Sequence, residues 1–333
     1  MLGLAGGLVW TQGPLLPCET PDCFSDLVGW WDFSDSEAMQ KGTINVDSDG
    51  QLTSINETGF ADTAGDRVVK VTNKAFTVGT FAGTSDVLGK FLYAFNDTRR
   101  PTIGTGGAGG NSYIDLTGDS TSQGLMATSR DGFGSNQTGA IFNDGLSGID
   151  LLPHKFTVFV VASSDNATLG TGNYQHMFSF NGGEENSEEI SRAFSLVKSN
   201  NSTRATFSYE GETSESVASS ATNNNTNTRL ITFRSATGSN NSAIFHDSSS
   251  VGTGTIANDA EIEFIPTGHP NNEQASVEIG GFVSLDTSAD SPQWDANYGF
   301  DGKIYEVVVY NKSMSDSEKN ILETHLKNKY NIT

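Results

Sequence analysis

The stretch Phe156-Thr-Val-Phe-Val-Val-Ala162 constrains the fold more than any other part of the chain. It is almost unbroken in β-branched and aromatic residues and too short for a core helix, so it reads as a strand buried on both faces. Many segments of similar length accompany it. Residues 27–33, 112–116, 176–180, 193–197, 205–209, 229–233, 242–246, 277–282 and 303–310 carry apolar residues at strand spacing, several with one polar face. Residues 44–55 read as two short strands around Asp49-Gly50, a dipeptide suited to a tight hairpin turn. Residues 67–95 alternate through Val68, Val71, Phe76, Val78 and Phe81, the pattern of a meander. Polar tracts at 182–189 and 214–227 separate the strands as surface loops. Without helices between the strands, βαβ units are excluded and an antiparallel two-sheet sandwich is expected. The 37 glycines supply turns, and 20 Phe with four Trp supply the core.

One helix is expected, over residues 315–330. Ser315-Asp-Ser-Glu318 is a capping box, in which the serine hydroxyl accepts from the backbone of Glu318 and the glutamate reaches back. Asp316 and Glu318 in the first turn and Lys327 and Lys329 in the last complement the helix dipole. Leu322, Leu326 and Tyr330, with Ile321 beside them, form a stripe that packs on the sandwich. The fold class is therefore all-β, with one short C-terminal helix and no second domain after Asp26.

The termini and the charge bound the function. Lys and Arg number 19 against 40 Asp and Glu, a net charge of −21, which argues against direct nucleic-acid binding and favours solubility on a crowded surface. No apolar run is long enough to span a bilayer. The opening decapeptide is apolar, yet it has no basic start and three glycines interrupt it, so it matches a secretory signal poorly. Residues 1–24 read as an arm whose Leu2, Leu4, Leu8 and Trp10 anchor the chain on a partner, with the sandwich occupying 25–333. Cys18 and Cys23 fit two states, a small disulfide ring or two free thiols in a turn, and the redox compartment decides between them.

Several stretches then follow in a telling order: Phe156-Thr-Val-Phe-Val-Val161, Val277-Glu-Ile-Gly-Gly281, Phe300-Asp-Gly-Lys-Ile-Tyr-Glu-Val-Val-Val-Tyr-Asn311 and Met314-Ser-Asp-Ser-Glu318. Together with Leu27-Val-Gly-Trp-Trp-Asp-Phe-Ser34, Arg100-Pro101 and Tyr113-Ile-Asp-Leu116, they resemble the concanavalin A-like lectin/glucanase superfamily, and within it the LamG-like jelly rolls. The Met1-Leu-Gly-Leu4 opening is similar to the start of structural proteins of tailed marine bacteriophages. The resemblance implies a two-sheet jelly roll used to bind glycans and, in phages, displayed on the particle as a head decoration, fibre or tail component. It further implies other virion proteins as partners through the arm, a homo-oligomer, host-surface glycans as ligands and calcium in loops.

Catalysis is not expected. Retaining glucanases of the superfamily that this chain resembles carry Glu-x-Asp-x-x-Glu, which sets two carboxylates on one face, and this sequence lacks it. Glu261 and Glu263 would share a strand face, but a wet acidic face explains them. Glu306 belongs to the structural strand. Asn45-x-Asp47-x-Asp49-Gly50 imitates half of a calcium loop, but position twelve is Asn56 and the flanks are not helical. Asp47 and Asp49 are the nameable calcium candidates, and a hairpin turn explains the same residues. The glycine-rich segment 104–110 lacks phosphate-loop spacing and is expected as a flexible loop. His154, His176, His246, His269 and His325 stand in no nucleophile pattern. For sugar stacking, Trp294, Tyr298 and Tyr174 lie in polar loops and are the aromatic candidates, while one of Trp30 and Trp31 faces the core and the other faces outward or a neighbouring chain. The expectation is a non-enzymatic virion surface protein that binds carbohydrate. The alternatives are a secreted lectin-like module and a glycoside hydrolase of the same fold.

Overall fold

A computed structural model describes residues 18–46, 52–78, 88–94, 98–116, 123–128, 150–151, 155–165, 174–182, 192–199, 202–209, 215–219, 226–257, 262–263, 276–281, 283–284, 293–294 and 299–333. Two large sheets hold the fold. The first has eight strands in the order Ser249–Gly254, Ser242–His246, Arg229–Arg234, Thr157–Ser164, Gly302–Tyr310, Tyr113–Leu116, Thr102–Gly104, with Leu27–Asp32 pairing the second half of Gly302–Tyr310. The second has ten: Glu215–Ala218, Ser202–Tyr209, Arg192–Ser199, Tyr174–Gly182, Ser276–Ile279, Leu125–Thr128, Phe91–Ala94, Val68–Thr72, Met39–Val46 and Leu52–Phe60. Neighbouring strands run antiparallel, and the crossing connections make a jelly-roll sandwich.

The strand Thr157–Ser164 is buried along its whole length, as its composition requires. Val158, Val160 and Ala162 face the second sheet, while Phe159 and Val161 face the helix on the outside. Between the sheets Phe156 lies at the centre of an aromatic cluster, with ring centroids 4.9 Å from Phe194, 5.4 Å from Phe180 and 5.5 Å from Phe233. These separations suit edge and offset contacts between rings.

Where a strand meander was expected, Lys74–Val78 forms a short helix that leaves Phe76 and Val78 exposed. The C-terminal helix spans Asp316–Tyr330 with Ser315 as its cap and both halves of the capping box formed. Leu322, Leu326 and Tyr330 are buried against Phe159, Val161, Leu230, Tyr305 and Val308. Ionic contacts accompany this packing. Lys319 pairs with Glu323 at 2.8 Å, and Glu323 accepts from Thr232 on the sheet at 2.8 Å. Arg234 pairs with Asp316. Lys329 stands in the last turn, as expected from the dipole, and also reaches two carboxylates of the first sheet.

Trp31 lies in the inter-sheet core and Trp30 on the helix side, where the ammonium of Lys74 sits 4.5 Å from its ring centroid. Trp30 is buried and not displayed to a neighbour. The predicted hairpin is longer than read, because Met39–Val46 pairs with Leu52–Phe60 along nearly its whole length. Residues 1–17 of the arm, Asp47, Asp49 and Tyr298 lie outside the described residues. No described helix is long and apolar enough to cross a membrane.

Candidate functional site

Two buried carboxylates, Asp32 and Glu306, are register partners on adjacent strands. A β-bulge brings them together: Val161 opposes Glu306 while Ala162 opposes Ile304, so Tyr305 is the extra residue and Glu306 swings to the helix side. The two acids are 4% and 1% exposed. Glu306 accepts from Trp30 Nε1 at 2.7 Å, Tyr330 OH at 2.8 Å and Lys329 Nζ at 2.7 Å. Asp32 accepts from Ser34 Oγ at 2.6 Å and meets Lys329 at 2.9 Å and Lys74 at 3.3 Å. Burial, then the charge of Asp32, pushes Glu306 above the usual carboxylate range. For Asp32 burial pushes upward, but Lys329, Ser34 and Lys74 together outweigh it and hold the group low. Five side chains donate to this pair and it is buried beneath the helix, so its chemistry is that of a clasp between helix and sheet.

A second polar assembly occupies one end of the sandwich. Tyr174 opens the strand Tyr174–Gly182, half-buried, with the guanidinium of Arg204 5.9 Å from its ring centroid and 3.5 Å from its hydroxyl. The strand Ser276–Ile279 leads into the same place. Ile279 opposes Phe178, Gly280 N donates to Met177 O at 3.1 Å, and Gly299 bridges His176. The segment between Gly281 and Gly299 therefore leaves and returns two residues from Tyr174, and it contains Trp294 and Tyr298. Trp294 lies on the two-residue strand Gln293–Trp294, opposite Val283.

Inside this end, Lys198 points between the sheets and donates to Ser164 Oγ at 2.8 Å. Burial lowers the ammonium, against the opposing charge of Asp301. Ser163, Arg229 and Phe300 line the same small chamber. His246 crosses between the sheets as well. Arg229 Nη1 lies 3.3 Å from its Nδ1 and can only donate, so Nε2 carries the proton and donates to Thr203 Oγ1 at 2.9 Å. Burial, helped by Arg229, lowers His246 to about 4, and burial lowers His176 to about 3. Both rings are neutral near pH 7.

Lys198 and His246 were not singled out from sequence, although strand parity marks them. Phe194, Leu196 and Lys198 share one face, as do Ile244 and His246, and the apolar partners are in the core. At the chain start, Cys18 and Cys23 are joined as a disulfide, with Cα atoms 5.6 Å apart. The ring docks through Pro21, whose carbonyl accepts from Tyr310 OH at 2.8 Å. Among the described residues no group of three or more His, Cys, Asp or Glu converges as a metal site.

No family model and no curated protein matches this sequence. Solved structures resemble it more distantly. The CBM40 of the Ruminococcus gnavus IT-sialidase is similar at a TM-score of 0.35 and 16% identity, over 52% of this chain and 83% of that one. Domain 4 of AbnA, a GH43 extracellular arabinanase from Geobacillus stearothermophilus in complex with arabinotriose, gives 0.43 at 11% identity, over 90% and 98%. Trypanosoma rangeli sialidase in complex with sialic acid gives 0.38 at 10% identity, over 95% and 36%. These are likenesses of chain trace, and the jelly-roll assignment rests on the two sheets themselves.

Proposed function

We propose that this chain is a non-enzymatic, carbohydrate-binding jelly roll displayed on a bacteriophage particle, with the apolar N-terminal arm as its anchor. The observation that carries the binding half is the strand start at Tyr174. There the half-buried ring of Tyr174, packed by Arg204, stands beside the base of the segment holding Trp294 and Tyr298. An aromatic face flanked by a guanidinium is equipment that can hold a sugar ring. The sealed Asp32–Glu306 clasp supports the non-enzymatic half, since both acids already serve the helix. The display half rests on the sequence of the arm and on a net charge of −21.

Probing a glycan array with the full chain tests binding. Specific glycans should be retained, and the triple variant Tyr174→Ala, Trp294→Ala, Tyr298→Ala should lose them; an array with no retained glycan rejects the reading. Deleting residues 1–24 should abolish particle incorporation while the sandwich stays folded, and unchanged incorporation rejects the anchor.

A further inference from the structure

We infer that the carbohydrate held at Tyr174 carries a carboxylate, and that Arg204 is the group that selects it. The inference rests on the carbohydrate-binding reading above and names the chemical class of the ligand at that same place.

Register fixes the direction of Arg204. Phe207, Ala205, Leu196 and Phe178 lie in the core between the sheets, so the residues alternating with them face outward from the second sheet. One outward row runs Ala218, Arg204, Val197, His176 across neighbouring strands. The next runs Ser202, Ser199, Tyr174. Arg204 and Tyr174 are thus two strands and one row apart on a single face. The arginine side chain crosses that gap and brings its guanidinium 5.9 Å from the ring centroid.

The guanidinium is placed but not neutralised. Among the described residues it makes one long hydrogen bond, from Nη1 to Tyr174 OH at 3.5 Å, and no ion pair. Its Nε is sealed from water with no hydrogen-bond partner. Arg229 and Arg234 of the first sheet, by contrast, pair with Asp247 and Asp316. The cross-strand neighbours of Arg204 are Val197 and Ala218, which carry no charge. Glu278 is the register partner of Ser179 and therefore stands three strands from Arg204, roughly 14 Å at ordinary strand spacing. That exceeds the screening length of about 8 Å at physiological ionic strength, which also attenuates the net charge of −21 on the whole chain.

These surroundings define the ligand. A half-buried guanidinium without a counter-ion gains most from a group that brings one. Its planar fork matches a carboxylate through two parallel N–H···O bonds, which a neutral hydroxymethyl group does not reproduce. Ser199, beside Tyr174 in its row, adds a hydroxyl that both donates to and accepts from the ring hydroxyls of the same sugar.

Calorimetric titration of the full chain tests this with the methyl glycosides of glucuronate, galacturonate and N-acetylneuraminate. Each is compared with its own methyl ester, which keeps the ring and removes the charge. At least one acid should bind, and its ester should bind about tenfold or more weakly, the worth of hydrogen bonds to a charged group. Arg204→Gln should erase the preference of acid over ester, whereas Tyr174→Ala should weaken acid and ester alike; thermal unfolding verifies the fold of each variant. Equal binding of acid and ester, a preference kept in Arg204→Gln, or silence from every acid each overturns the inference. Where one of these accompanies a positive glycan array, the carbohydrate-binding reading stands without the charge selection; a silent array rejects both.

Discussion

Replacing Lys329 by Met removes the cation shared by two buried carboxylates. Its ammonium lies 2.9 Å from Asp32 and 2.7 Å from Glu306, which oppose each other in register. Lys74 still reaches Asp32, but Glu306 would keep only Trp30 and Tyr330 as donors. Breaking a buried ionic group by deleting one partner costs about 3–5 kcal/mol. For a chain of this size that corresponds to a fall in Tm of roughly 4–7 °C. The loss should depend on pH. Glu306 already titrates above the ordinary glutamate range, so the folded state holds its proton more tightly than the unfolded chain. Its contribution therefore weakens as pH rises from the unfolded value through the folded one, and losing Lys329 moves the folded value further up. Urea unfolding at pH 5 and pH 8, followed by tryptophan fluorescence, should show the larger deficit at pH 8. Adding Glu306→Gln to the variant should recover much of that deficit. A loss under about 1 kcal/mol at pH 8, or equal losses at both pH values, would refute the clasp as an electrostatic device.

Three further perturbations follow from the same contacts. Ser315→Ala removes a formed capping box and should lower stability by about 1 kcal/mol in urea unfolding, with Thr as a partial replacement. Cys18→Ser opens a loop closed over a separation of five residues, which should cost about 2 kcal/mol by chain entropy, matched by adding reductant to the wild type. His246 is held neutral with its folded value near 4, below the ordinary 6.5, so the unfolded chain binds its proton first and stability is lost as pH falls from 6.5 toward 4. The full contribution is about 3 kcal/mol. The difference between wild type and His246→Gln isolates it from raised carboxylates such as Glu306, whose effect runs the opposite way; a difference independent of pH would reject the neutral inter-sheet bridge.

Much of the scaffold was legible in the sequence because its signals are local. Residues 156–162 could only be a strand covered on both sides, and the covering layers are the second sheet and the helix. Ser315 and Glu318 marked the helix start through contacts within one turn. The clasp was not legible, since the bulge at Tyr305 decides which way Glu306 points and a bulge leaves no signature in composition. Lys198 and His246 carry no motif, and only parity with Leu196 and Ile244 betrays their inward direction. The glycine segment looked loose because its anchors, Lys329 and Tyr305, lie about two hundred residues away. Of the aromatic candidates, Tyr174 is half-buried beside Arg204, Trp294 lies on a two-residue strand opposite Val283, and Tyr298 lies outside the described residues.

Calorimetric titration of the full chain with a glycan retained on the array, followed by assay of the same mixture for new reducing ends, tests the central claim most directly. The account predicts saturable heat and an intact glycan after prolonged incubation. Release of reducing sugar, or no heat with any retained glycan, would contradict it.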